Sequence, residues 1–387
     1  MTTPREDKKI SVQDILWVGL AVGILVLGLG YLPTSTLAQA TSVEVYPGPG
    51  ANAFKSDLYN VEIFNGSSWV PAYVYKRSRV STMHWHNGQT PSVNFLTFGT
   101  TGSANVRISK VSGPITSISV SPKSKSIPSS ISGGQATLTL NINDKTWITI
   151  NGDDANPLFI FADAVKPAVP VGATYFGPGV QQISPSTSNH YFARDNETIY
   201  LDGGAWVQGN IVSKGKTNVR IMGPGILSGD LWDSQTIQNL GWNGGMQDYF
   251  MINSADYGIV GGTTVQGITI VDSPVYNVVN VLSAYSVKVL SPWHAQTDAF
   301  NGIDIDQVFA FNGDTTFNNY MGYWSPITNS YSVNTRLTNS FGGTTNNAVI
   351  LGGFYGNYPT TNFTSTVDNL DIKTYNTNNF VPYGAPH

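Results

Sequence analysis

Apolar and polar residues alternate over short stretches in the first part of the chain, from residue 41 to about residue 165. Runs of this kind are separated by clusters of Gly, Pro, Asn and Ser, and they cover residues 42–46, 58–63, 136–140 and 147–150. Alternation with period two puts the apolar side chains on one face of a strand. Many such strands with frequent turns are typical of a β-sandwich, which we predict over residues 41–168.

A different pattern begins at about residue 169, where short β-rich runs recur about every 20 residues. The clearest runs are spaced by 19, 21, 22, 19 and 21 residues, and they centre on Thr269, Lys288, Phe309, Tyr331, Ile350 and Asp371. A repeat of this length, with polar turns and no long amphipathic helix, predicts stacked rungs that share one core. We therefore predict a right-handed parallel β-helix over residues 169–387; evenly spaced strands of a second sandwich are the alternative.

The first 40 residues read as an export signal. Arg5, Lys8 and Lys9 precede residues 15–32, a stretch of 18 residues without charge, and Ala38-Gln-Ala40 has the small-x-small pattern of a signal peptidase site. Residues 1–40 are therefore predicted to be either a cleaved signal peptide or a retained signal anchor. Both place the remainder of the chain outside the cell, secreted or anchored at its surface, and only residues 15–32 would touch a membrane.

Composition narrows the choice of function. Only 11% of the residues are charged, the formal net charge is −4, and there is no cysteine. The low number of bases argues against a nucleic-acid partner, because such proteins neutralise phosphates with Lys and Arg. The absence of cysteine excludes disulfides, thiolate metal sites and cysteine nucleophiles. His84-Trp-His86 could offer two ligands, but no third is apparent, so we expect neither a metal nor a cofactor.

The sparse charge makes one stretch conspicuous. Four acids occur within 17 residues, namely Asp298, Asp304, Asp306 and Asp314. Asp298 and Asp314 are separated by slightly less than one repeat, so they could lie close together on neighbouring rungs. Paired carboxylates suit cleavage of a glycosidic bond, in which one acid protonates the leaving oxygen and the other activates water. The alternative is that these acids cap turns or form a solvated ladder along the rungs.

Other side chains in and after this stretch suit a sugar ligand. Trp293, Tyr320 and Trp324 are candidate platforms for sugar rings, and His294 is a candidate sugar contact or a neighbour that tunes a carboxylate. Gln296 is a further candidate substrate contact, and Asp304 and Asp306 are candidates to position water or substrate. The implied partner is an uncharged polysaccharide, either an α-glucan or a cell-surface glycan.

An ordered series of segments resembles glycoside hydrolase family 49, the dextranases and isopullulanases, and more distantly the polygalacturonase-like β-helices. Residues 156–162 are similar to the end of that family's sandwich, and Tyr175-Phe-Gly-Pro-Gly-Val180 is similar to its entry strand into the β-helix. Residues 198–209 and 223–229 resemble its first rungs, residues 296–298 and 306–314 its catalytic segment, and residues 348–354 and 367–372 the rungs that follow.

The resemblance implies roles for individual residues. It places the general acid on Asp314 and the carboxylates that position the attacking water on Asp298 and on the next residue, Thr315. The family has two adjacent aspartates where this chain has Asp314-Thr315. A threonine cannot act as a base near neutral pH, although its hydroxyl can hold a water molecule. Asp298 and Asp314 still supply one base and one acid, as an inverting mechanism requires.

Two functions from different classes follow. The first is an exported glycosidase that cleaves a dextran- or pullulan-like α-glucan with inversion. The second is a catalytically silent β-helix protein that binds glycans or builds an extracellular assembly, such as a surface fibre, a filament or a virion component. The missing second aspartate favours the second function, and a homo-oligomer is left open.

Overall fold

A computed structural model describes residues 41–50, 52, 54–77, 92–241, 244–254, 262–275, 277–291, 297–312, 315–319, 333–344, 349–351 and 363–374. From residue 277 on, side chains are described for residues 279, 281–290 and 305–311. The predicted leader, residues 1–40, and His84-Trp-His86 lie outside the described residues. Within the described part, no helix is long and apolar enough to cross a membrane. Thr41–His387 forms one compact unit.

The first part of the chain folds into two packed sheets, as the alternating pattern predicts. Their strands are β1 (Val43–Val45), β2 (Tyr59–Phe64), β3 (Trp69–Ala72), β4 (Tyr75–Arg77), β5 (Val93–Thr100), β6 (Ser103–Lys110), β7 (Ile118–Ser121), β8 (Ser129–Ser132), β9 (Gln135–Asn141), β10 (Asp144–Ile150) and β11 (Asp153–Ala164). Sheet 1 has the order β1-β5-β11-β10-β7, with β4 also paired to β5, and sheet 2 has the order β3-β2-β6-β9-β8.

Alternation in the sequence explains how these two sheets pack. In β9, Ala136, Leu138 and Leu140 are buried between the sheets, while the residues between them are partly exposed. In β10 every residue is buried, and so is most of β11. Sheet 1 is therefore covered on both faces, by sheet 2 on one side and by the second part of the chain on the other.

The second part is the predicted parallel β-helix, whose strands all belong to one 19-stranded sheet. They are β12 (Thr174–Phe176), β13 (Gly179–Gln182), β14 (His190–Phe192), β15 (Thr198–Leu201), β16 (Ala205–Gln208), β17 (Asn210–Val212), β18 (Val219–Met222), β19 (Ile226–Ser228), β20 (Ile252–Asn253), β21 (Thr263–Gln266), β22 (Thr269–Val271), β23 (Asn277–Tyr285), β24 (Lys288–Ser291), β25 (Thr297–Asp306), β26 (Phe309–Asn312), β27 (Thr315–Asn319), β28 (Val333–Thr344), β29 (Val349–Leu351) and β30 (Phe363–Thr374). The sandwich therefore precedes a β-helix, and the exact boundary at residues 168/169 remains a prediction.

Successive strands coil around three faces. Face A contains β12, β15, β18 and β21, face B contains β13, β16, β19, β22, β24 and β26, and face C contains β14, β17, β20, β27 and β29. The long strands β23, β25, β28 and β30 bend around a corner and contribute to two faces each. Equivalent side chains stack inside the coil, for example Ile199, Ile221, Val265, Ala284 and Ile305 on face A.

The sandwich covers the outside of face B. Trp206, Ile226, Val271, Leu290, Phe309 and Phe311 all point away from the coil and are buried against sheet 1. Trp206 stacks on Phe54, with ring centroids 4.0 Å apart, and Trp147 meets Phe311 edge-on at 4.9 Å. Burial of these aromatic rings fixes the two parts of the chain against one another.

The predicted repeat holds in the middle of the β-helix and is wrong after it. Thr269, Lys288 and Phe309 occupy the same position on successive strands of face B. The following strands put Phe341 and then Asp371 at this position. Ile350 lies instead on face C, opposite Asn318, and Tyr331 lies outside the described residues. The later rungs are longer than predicted because long connections precede their first strands: β27 ends at Asn319 and β28 begins at Val333, and β29 ends at Leu351 and β30 begins at Phe363.

A buried ionic cluster crosses from the sandwich to the β-helix. The Asp163 carboxylate accepts from the Lys288 Nζ at 2.5 Å, the Lys145 Nζ at 3.3 Å and the Ser286 Oγ at 3.1 Å. Burial opposes ionisation, but the charges of Lys288 and Lys145 hold the pKa of Asp163 below its usual value. Burial also lowers the pKa of Lys145 to about 8. One carboxylate is thus shared by two buried lysines.

This cluster predicts a specific pH dependence of stability. Lys145 has an ordinary pKa of 10.5 and a folded-state pKa of about 8, so between these values the unfolded chain binds more protons. The contribution of Lys145 to the free energy of unfolding therefore rises as the pH increases from about 8 to 10. Chemical denaturation of wild type and Lys145→Met should show a steeper rise for wild type in this window. Parallel curves would contradict the shift, since tyrosine ionisation is common to both proteins.

Candidate functional site

One acid of the predicted carboxylate segment, Asp298, lies on a strand of face C. Thr297, the first residue of β25, pairs with Thr315, the first residue of β27, and Asp298 pairs with Thr316 next to a β-bulge. Asp314 immediately precedes β27 and lies outside the described residues. The backbone therefore places Asp298 one rung from the strand that begins directly after Asp314. The distance between the two carboxylates remains a prediction.

The other two acids of the stretch belong to another face. β25 bends after its face C segment, and Asp304 and Asp306 pair on face A with Arg336 and Thr338 of β28. In this register Asp304 lies opposite Arg336 and Asp306 lies opposite Thr338. The four acids thus do not share one surface, and only Asp298 lies beside the strand that follows Asp314.

For the remaining predicted site residues, the assigned roles rest on the sequence alone. Thr315 is in β27, and its side chain is not among those described. The others lie outside the described residues, and they are Trp293, His294, Gln296, Tyr320 and Trp324. Residues 292–296 connect β24 on face B to β25 on face C, and residues 313–314 connect β26 to β27. Both predicted segments therefore join face B to face C.

An earlier connection between faces B and C is much longer. Between β19 and β20, the chain forms helix α1 (Ser234–Asn239) and a short 3-10 turn over Met246–Tyr249. The Asp233 carboxylate caps α1 by accepting from the Thr236 amide at 2.8 Å. The segment is tied to face C by Asn210, whose side-chain amide donates to the carbonyls of Asp248 and Phe250 at 2.7 and 2.8 Å.

This long connection builds an aromatic cluster at the start of face C. The His190 ring stacks on Trp232 at 5.7 Å and meets Tyr249 at 5.1 Å and Phe192 at 6.2 Å. His190 Nδ1 lies 2.7 Å from the Asn210 Oδ1. Because both amide hydrogens of Asn210 are used, its oxygen is the acceptor and His190 donates from Nδ1. Nε2 is thus the ring nitrogen that Asn210 leaves without a hydrogen bond from this pair.

Sequence reasoning missed this cluster, although two signals were present. His190 and Phe192 are two residues apart in a short strand, so both point to the same side of the sheet. The strand-like runs on either side of residues 229–251 are also separated by more residues than one repeat provides. Neither signal shows that Trp232 and Tyr249 return to contact His190, because that contact depends on the path of the connection.

A small cleft lies elsewhere, between the sandwich and the corner that joins faces A and B. Its ionisable lining includes Asp163 and Lys166. Asp163 is engaged by Lys145 and Lys288, and Lys166 binds the Asp202 carboxylate at 2.7 Å. Burial opposes ionisation of Asp202, but hydrogen bonds from Lys166 and Tyr175 lower its pKa. These ion pairs join the sandwich to the β-helix. Asp163 is the one carboxylate among the described residues that line the cleft, so the cleft offers no pair of carboxylates for catalysis.

Comparison with known proteins agrees with the architecture. No family model and no curated protein matches the sequence. The solved structure of Dex49A from Penicillium minioluteum, a family 49 dextranase, is similar with a TM-score of 0.58 and 15% sequence identity. The match covers 84% of this chain and 80% of Dex49A.

The chain has a fold like that of glycoside hydrolase family 49. At 15% identity the match concerns the fold, and it agrees with the resemblance noted in the sequence segments. Among the described residues, no group of three or more His, Asp or Glu side chains forms a metal-binding cluster.

Proposed function

We propose that this protein is an exported glycoside hydrolase that cleaves an α-glucan related to dextran or pullulan. The observation that carries the proposal is the pairing of Thr297 with Thr315, which puts Asp298 beside the strand that follows Asp314. The shared fold with Dex49A supports the same reaction class. The low charge of the chain suits a neutral polysaccharide.

In this proposal Asp314 is the general acid that protonates the leaving oxygen, and Asp298 is the base that activates water. In the register of these strands Asp298 lies opposite Thr316, which is two residues after Asp314 in the sequence. Inverting enzymes separate their carboxyl groups by about 6.5–9.5 Å to leave room for water.

The neighbouring side chains have supporting roles in the proposal. The Thr315 hydroxyl holds the attacking water, which it can do as donor and acceptor without becoming a base. Trp293, Tyr320 and Trp324 stack on sugar rings, and His294 and Gln296 contact sugar hydroxyls. Asp304 and Asp306 belong to the same strand as Asp298 but lie on face A. In this proposal they therefore have no direct contact with the sugar at the scissile bond.

The test is the release of reducing sugar from dextran and pullulan by the purified protein, with the first-formed anomer identified by proton NMR. Inversion of an α-linkage should give the β-anomer first, because water attacks the face opposite the leaving oxygen. Release of the α-anomer would disprove the inverting mechanism. No release from any α-glucan would disprove the hydrolase.

A second candidate is favoured by the threonine at position 315. With the second aspartate of the family pattern missing, the protein would be a catalytically silent β-helix that binds glycans or forms an extracellular assembly. Retention on a glycan without turnover, or ordered polymers in electron micrographs, would support this candidate. A monomer that releases sugar would exclude it.

A further inference from the structure

Phe192 presents an aromatic surface on face C, away from the predicted carboxylates. Its side chain is 61% exposed at the end of β14, and it borders the cluster formed by His190, Trp232 and Tyr249. Exposed aromatic rings bind sugars well because their faces accept the C–H groups of a pyranose ring. We propose that Phe192 and His190 form a remote glucan-binding subsite.

The surface is held rigid before any ligand arrives. The His190 ring contacts Trp232, which is 8% exposed, and Tyr249, and these two rings also meet each other edge-on at 5.3 Å. The His190 Nδ1 donates to Asn210. Asn210 in turn is anchored to two carbonyls of the long connection. A ring fixed in this way loses little entropy on binding, which favours affinity.

His190 can also orient a bound sugar through a hydrogen bond. Since Nδ1 is engaged by Asn210, Nε2 is the ring nitrogen left for a sugar hydroxyl. A stacking phenyl ring beside one imidazole nitrogen fits a polyol, which offers C–H groups to the ring and hydroxyls to the nitrogen. The class of ligand is therefore a neutral glycan, and its identity as an α-glucan rests on the proposed function.

The position on face C indicates the length of that glycan. From β14 the ladder passes through β17, β20 and β23 to β25, which carries Asp298. Four steps of about 4.8 Å amount to about 19 Å. One sugar ring cannot reach from Phe192 to Asp298, but a chain of several glucose units can. The subsite therefore distinguishes polysaccharides from short oligosaccharides.

The test compares Phe192→Ala with Phe192→Tyr and with Val180→Ala. Val180 is a suitable control because it is 45% exposed on the same rung but lies on face B. Retention in gels that contain dextran or pullulan should weaken about fivefold for Phe192→Ala, as expected for one aromatic contact worth ~1 kcal/mol. Phe192→Tyr and Val180→Ala should bind like wild type. Thermal unfolding by circular dichroism verifies that each variant is folded.

Turnover separates this proposal from the proposed function. In an active enzyme, Phe192→Ala should raise KM for dextran about fivefold and leave kcat and the hydrolysis of short isomalto-oligosaccharides unchanged. If wild type binds through Phe192 without turnover, the subsite stands and the hydrolase fails. Equal retention of wild type and Phe192→Ala, or no retention of wild type, overturns the subsite. A change of oligomeric state in Phe192→Ala with unchanged retention also overturns it.

Discussion

Asp314→Asn is expected to lower kcat on dextran or pullulan by at least ~10²-fold, since general acid catalysis contributes about 10²–10⁴-fold. The asparagine keeps the shape of the side chain but cannot protonate the leaving glycosidic oxygen. KM should change little, because the loss affects proton transfer in the transition state rather than binding of the glucan. Initial rates of reducing-sugar release at several substrate concentrations measure both constants.

The control for this change is Asp57→Asn, which also removes one carboxylate. Asp57 is an exposed residue of the sandwich that pairs with Lys76 at 2.6 Å. Exposed ion pairs contribute little to stability, so the variant should fold like wild type. Because Asp57 is in the sandwich and has no part in the proposed reaction, kcat and KM should be unchanged. Equal rates for wild type and Asp314→Asn would remove Asp314 from the mechanism. A comparable loss in Asp57→Asn would indicate that the assay reports protein quality instead of catalysis.

Asp163→Asn should destabilise the folded protein by about 3–5 kcal/mol, because it removes the counter-charge of two buried lysines. Lys288 is fully buried and Lys145 is 4% exposed, so neither ammonium group can turn to water. Asp163 ends the sandwich and Lys288 begins a face B strand, so the change also loosens the contact between the two parts. Urea denaturation followed by tryptophan fluorescence measures the loss.

Lys145→Met is the matched variant for this cluster. It removes one of the two lysines and leaves the Asp163–Lys288 ion pair, with its 2.5 Å contact, intact. We therefore expect a smaller loss than for Asp163→Asn, since no buried charge is left without a partner. If Asp163→Asn is as stable as wild type, the cluster does not hold the sandwich on the β-helix. If Lys145→Met is the less stable of the two variants, the shared-carboxylate account is wrong.

The candidate site shows what a pattern of residues can and cannot specify. The stretch from Asp298 to Asp314 is recognisable in the sequence because acids are rare in this chain. The sequence does not show that β25 bends between Asp298 and Asp304, which sends Asp304 and Asp306 to face A. Strand periodicity records which side of a sheet a residue faces, whereas a corner depends on pairing with strands far away in the chain.

The aromatic cluster is a second case. His190 and Phe192 are visible as alternate residues of one strand, but Trp232 and Tyr249 lie far from them in the sequence. Their contact with His190 requires the long connection between β19 and β20 to fold back over face C, where Asn210 holds it. No local preference encodes that path, so only the folded chain reveals the candidate subsite.

The sequence by itself determined the order of a sandwich and a parallel β-helix, and the central repeat through Thr269, Lys288 and Phe309. These features follow from alternation and spacing, which act between near neighbours. Only the tertiary structure decided that the sandwich covers face B, which buries Trp206 and Phe309 although they point away from the coil. It also decided that Lys288 is buried beside Asp163. The physical reason is that the hydrophobic effect is non-directional. An apolar side chain in the sequence indicates that the residue will be buried, but it does not indicate which element will cover it.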